Sequence, residues 1–101
     1  MPYTKIYFKT KHSKTGKIGT ITAFIFENKC MIRFDNHQQA EMTYKKLLAQ
    51  GNKALFERGV VIQFFKDMTQ QQILDLIKKD IEMTAPSVGV DILDYKEERI
   101  E

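Results

Sequence analysis

The sequence predicts an α+β (or α/β) fold: one small domain over residues 1–101, with a mixed sheet of about five strands in the order β-β-β-α-β-α-β and two helices packed on it. Three observations carry this. The first third of the chain alternates apolar and polar residues with a period of two. Two later stretches carry apolar residues at helical spacing behind capping residues. Between those stretches lies the most continuous apolar run, "VVIQFF".

Taken in order, "YTKIYFKT" sets Ile6 and Phe8 on one side of a strand at 3–10, with Lys5, Tyr7 and Lys9 on the other. "KIGTITAFIF" is β-branched and aromatic, a strand at 18–26. The polar stretch between them makes a hairpin with a long tip. "FENKCMIRF" reads as a tighter hairpin, because Asn28 tolerates the left-handed conformation of a two-residue turn. With Asn28 and Lys29 as the turn, Ile25 faces Ile32 and Ala23 faces Phe34. One face then gathers Ile21, Ala23, Ile25, Cys30, Ile32 and Phe34. The other gathers Phe24, Phe26 and Met31 beside Arg33.

A helix is predicted from Asn36, paired with Gln39 as a capping box, to the stop at Gly51; Ala40, Tyr44, Leu47 and Leu48 form its apolar stripe. "NKALFERG" fits either a helical turn or a loop. Residues 60–66 read as a central strand buried on both faces. A second helix starts at Thr69, with Gln72 three residues on, and closes at Pro86; Ile73, Leu74, Ile77 and Ile81 line one side. A last strand covers 87–95, and the charged 96–101 is a tail prone to fray. Strand–helix–strand steps of this length run parallel as a rule, so 29–34, 60–66 and 87–95 are expected to be parallel. Ile25, Ile32, Ile62, Phe64 and Ile77 are the expected core.

Composition narrows the function classes. With 43% hydrophobic residues, a chain of this length buries roughly 60–70% of its unfolded surface and needs no metal or disulfide to fold. A single cysteine excludes an internal disulfide and a cysteine-rich zinc site. No export leader is expected, since lysines punctuate the first twenty residues, and no apolar run approaches the roughly 18 residues of a membrane span. A cytoplasmic protein with no membrane partner is the expectation. The net charge of +3 hides an asymmetry. Lys5, Lys9, Lys11, Lys14 and Lys17 stand in residues 1–20 without one acid, while Asp91, Asp94, Glu97, Glu98 and Glu101 outnumber Lys96 and Arg99 at the other end.

"KTKHSKTGKIG" is the candidate nucleic-acid contact. Lys9, Lys11, Lys14 and Lys17 flank His12 and offer charges for phosphates. The competing reading is a solvated hairpin tip whose lysines discourage edge pairing. Arginine, the better reader of bases, is missing there. The Gly16-Lys17 pair is not a phosphate-binding loop, because Ile18 and a strand follow it instead of Ser/Thr and a helix. Glu27 beside Lys29 offers one carboxylate, and no Asp or Glu lies in 1–26 to supply a second metal ligand. His12 and His37 have nothing in the sequence to bring them together. Cys30 points to the core side with no neighbour to make it a thiolate. No catalytic, cofactor or metal site is expected, and no cofactor.

Phe24, Phe26, Met31 and Arg33 are the candidate partner-binding residues, against the competing reading of a floor beneath a helix. The expectation is a small non-enzymatic binding protein that engages another protein, an adaptor or inhibitor of the kind bacteria and their phages make. The alternative is a nucleic-acid-binding accessory protein that uses the hairpin at 9–17.

Overall fold

The structure, a computed structural model, describes residues 2–36, 54–57 and 59–101. Six strands and one helix follow in order: β1 Tyr3–His12, β2 Ile18–Phe26, β3 Lys29–Asp35, β4 Ala54–Glu57, β5 Val60–Phe64, α1 Gln70–Ser87 and β6 Val90–Ile100. They form one six-stranded sheet, ordered β4-β5-β3-β2-β1-β6, in which each neighbouring pair is antiparallel. The α+β class holds. The helix expected at 36–51, with Gln39, Ala40, Tyr44, Leu47 and Leu48, lies almost wholly outside the described residues. Asn36 is described, and its φ of +65° is left-handed, not the extended geometry of a helix N-cap.

The sheet is antiparallel where a mixed one was expected, and a single extra strand explains it. The ambiguous "NKALFERG" supplies β4. The direction of β4 matches that of β3, with β5 between them. The tight β4–β5 connection then reverses the chain, so β5 runs against β3. The parallel relation does hold across the helix, because β5 and β6 point the same way. Residues 29–34 oppose both.

Asn28 takes the predicted turn conformation, with φ of +68°. The register differs: the turn is Glu27–Asn28, so Phe26 pairs with Lys29, Ile25 with Cys30 and Phe24 with Met31. Each partner moves by two residues, and a two-residue shift keeps each side chain on its face. Phe65 N–H donates to Asn28 O at 2.8 Å, anchoring the turn to the end of β5.

The core lies between one sheet face and α1. Ile6, Phe8, Ile21, Ala23, Ile25, Cys30, Ile32, Phe34 and Val61 meet Ile73, Leu74, Ile77 and Ile81. The helix begins as expected. Thr69 Oγ1 accepts from Gln72 N–H at 3.2 Å, and Thr69 N–H donates to Gln72 Oε1 at 2.9 Å. Gln70 ties this start to the sheet, donating from Nε2 to Ile25 O at 3.0 Å.

β5 is neither central nor buried on both faces. Val61, Gln63 and Phe65 point inward; Ile62 is half-buried and Phe64 is 44% exposed. The expected core therefore stands at Ile25, Ile32 and Ile77 and is corrected at Ile62 and Phe64. Residues 96–100 are paired: Lys96 with Tyr7, Glu97 with Ile6, Glu98 with Lys5, Arg99 with Thr4 and Ile100 with Tyr3. A bulge between Lys9 and Thr10 passes over Leu93, which is left exposed. Among the described residues no helix is long and apolar enough to cross a membrane.

The α1–β6 connection rests on Gly89, whose φ is +76°. Its carbonyl accepts from both Ser13 N–H and Ser13 Oγ, each at 2.9 Å. A Cβ added at Gly89 would lie 3.1 Å from Ser13 Oγ. Gly89→Ala is expected to destabilise the fold by about 1–2 kcal/mol, from left-handed backbone strain plus that crowding. Urea denaturation reads this directly; an unchanged midpoint would contradict it.

Candidate partner-binding face and basic hairpin

The pleat sends alternate residues of each strand away from α1. On that second face the register sets Ile62, Met31, Phe24, Lys5 and Glu98 in one row across β5, β3, β2, β1 and β6. The next row toward the Glu27–Asn28 turn holds Phe64, Lys29, Phe26, Tyr3 and Ile100, with Tyr3 extending the β1–β2 ladder by one position. Among the described residues, no helix lies over these rows; α1 packs on the opposite face. Phe24, Phe26 and Met31 are therefore not a floor beneath α1.

The aromatic side chains cluster. The Tyr3 ring lies 5.2 Å from Phe26 and 6.1 Å from Phe24, both tilted. Lys5 Nζ sits 5.9 Å from the Phe24 ring centroid, and Lys29 Nζ sits 5.2 Å from that of Phe26. Arg33, the remaining candidate, pairs with Val60 across β3–β5 and holds Asp35 at 3.5 Å, with 62% of its side chain exposed. The four candidates Phe24, Phe26, Met31 and Arg33 thus share one face. Tyr3, Lys5, Lys29, Ile62 and Phe64 join them. Ile62 and Phe64 are hard to find from sequence, because a uniformly apolar run gives no alternation; Gln63 is its one polar member, and it points inward.

The basic hairpin is a tight turn, not a free arm. His12 N–H donates to Lys17 O at 2.9 Å, and Gly16 N–H to His12 O at 2.8 Å. Thr15 N–H donates to His12 Nδ1 at 3.3 Å. Ser13 fastens the turn to Gly89, as described above. Lys9, Lys11, Lys14 and Lys17 are exposed. The acid-free N-terminal stretch and the acidic C-terminal one meet as neighbouring strands: Lys5 stands opposite Glu98, Lys9 opposite Asp94, and Lys11 opposite Asp91. Cross-strand opposite charges of this kind lower the local potential. Lys14 and Lys17 lie beyond the ladder. From Tyr3 to Lys11 the strand spans roughly 27 Å at about 3.4 Å per residue. The hairpin tip and the aromatic cluster therefore lie at opposite ends of β1.

His37 lies outside the described residues. Among the described residues no three His, Cys, Asp or Glu side chains converge as a metal site. Cys30 is buried under α1, and burial pushes its thiol from an ordinary 9.0 up to about 12. The neutral thiol is thus the folded form. A proton held more tightly in the folded state stabilises it fully below the unfolded value, and this contribution is lost as pH rises through the folded value. Between about pH 9 and 12, Cys30 is expected to add a loss of about 1.4 kcal/mol per pH unit. Cys30→Ala should flatten the stability–pH slope by that amount; an unaltered slope would show that the thiol does not titrate this way. Tyr95, also raised by burial, keeps its own slope in both proteins.

Comparison with protein families, with curated proteins and with solved structures finds no match for this chain.

Proposed function

We propose that this is a non-enzymatic binding protein, an adaptor or inhibitor, that docks a partner protein on the sheet face opposite α1. The observation that supports the reading is the cluster of Tyr3, Phe24, Phe26, Met31, Ile62 and Phe64, flanked by Lys5 and Arg33, with Lys29 between Phe64 and Phe26. An apolar centre within a polar rim is the anatomy of a protein interface. Base stacking needs a bare ring face. Here the rings tilt against one another, and Lys5 and Lys29 sit over Phe24 and Phe26. The cationic rim selects a partner whose own rim is acidic.

The nucleic-acid reading draws on Lys14 and Lys17, which have no acid opposite them in the β1–β6 ladder. The two readings part on salt and on nuclease. Immobilised wild-type protein and the Lys11→Gln/Lys14→Gln/Lys17→Gln variant are exposed to host lysate, with and without nuclease. The protein reading expects the same polypeptide bound by both, retained through nuclease treatment and high salt. Retention that disappears with nuclease, or with the triple substitution, would reverse the order of the two readings.

A further inference from the structure

On the docking face, β1 and β6 enclose a pocket of about 230 Å³ lined by Lys5, Tyr7, Lys96 and Glu98. We infer that this pocket receives a carboxylate side chain from the docked protein. The inference rests on the reading that this face binds a partner.

The register builds the pocket. Lys5 stands opposite Glu98, and Tyr7 opposite Lys96, so the two lysines lie diagonally across one strand pair, with Tyr7 and Glu98 at the other two corners. The lining carries two positive charges against one negative. Glu98 offsets part of this charge from across the strand pair, but forms no direct ion pair with Lys5 or Lys96; the ion pairs among the described residues, Arg33–Asp35 and Lys78–Glu82, lie elsewhere. Tyr7 is half-buried in the pocket lining and adds a hydroxyl donor. Two point-charge donors and a hydroxyl suit a carboxylate. The pocket also borders the apolar cluster, since Lys5 lies over Phe24. An acidic residue next to an apolar one in the partner would reach both at once. Glu98 works against the incoming charge, so its removal should tighten binding. Simple loss of structure would not give that sign.

The probes are two capped dipeptides, acetyl-Leu-Glu-amide and its neutral isostere acetyl-Leu-Gln-amide, titrated into ¹⁵N-labelled protein while amide shifts are followed. The acidic peptide should shift Lys5, Tyr7, Lys96 and Glu98 saturably, and the neutral one should shift Phe24 and Phe26 with little effect on those four. Lys5→Gln/Lys96→Gln should weaken the acidic peptide roughly five- to tenfold, and Glu98→Gln should strengthen it roughly two- to fivefold. Equal shifts of the pocket by both peptides would overturn the carboxylate inference and leave the docking face standing. Shifts as large at Lys14 and Lys17 would also overturn it, as diffuse attraction. Silence of both peptides across Phe24, Phe26 and Met31 would remove the docking face itself, and the pocket with it.

Discussion

Ile77→Ala is expected to cost the fold about 2–5 kcal/mol. Ile77 is fully buried where the middle of the helix meets the sheet, with Ile73, Leu74 and Ile81 around it. Truncation removes the transfer energy of three carbons and leaves a void that a helix fixed at both ends closes poorly. At the front end Thr69 and Gln70 hold it; at the back end Gly89 O holds Ser13. A domain of this size has about 5–15 kcal/mol in total, so the variant should melt well below the parent. Phe64→Ser is the control on the other face. Phe64 is 44% exposed, and the change should stay within about 1 kcal/mol. Denaturant unfolding of both variants checks the pair. Similar costs for the two would mean that the sheet buries both faces equally.

Phe26→Asp should leave the fold standing and reduce partner affinity by roughly 30-fold or more. Phe26 belongs to the aromatic group, in contact with Tyr3 and beneath Lys29. A carboxylate there would pair with Lys29 in the free protein and present a negative charge to an acidic rim. The melting temperature and the affinity must be read together: a collapse of both would assign Phe26 to stability, and an unchanged affinity would place the interface elsewhere.

Much of the fold was legible where local chemistry decides it. Asn28 favours positive φ whatever surrounds it, and Thr69 with Gln72 writes a helix start in four residues. The alternation of Ile6, Phe8, Ile21, Ala23 and Ile25 named the core face correctly even with the hairpin register displaced, since a two-residue slip is invisible to a period of two. Non-local partners decided the rest. "ALFE" is too short to show a period, and its strand state comes from pairing with β5. Missing it reversed the inferred direction of 60–66. In that run, inward and outward residues are equally apolar, so Ile62 and Phe64 could be sorted only by the strands beside them. For the candidate site, Phe24, Phe26, Met31 and Arg33 were visible as one face. Lys29 over Phe26 was hidden by the displaced turn, and Lys5 over Phe24 and the pocket against β6 by their dependence on strand pairing, which for β6 spans nearly the whole sequence. The opposed charges at the two ends were plain in the sequence, and only the sheet order shows that they meet.

That order, with the first strand seated between the second and the last, also constrains how the molecule is assembled. Tyr3 finds Ile100 across nearly the whole length of the chain. Every other strand pair is built from residues that precede Val90, so β1 keeps one hydrogen-bonding edge open until β6 has been synthesised. Without β6, Ile6 and Phe8 lie on a strand with an unfilled edge. Lys5, Lys9 and Lys11, which later face the carboxylates of β6, lie along that edge and discourage another strand from adding to it. The same lysines thus serve twice: as guards during synthesis and as one side of a charge ladder after it.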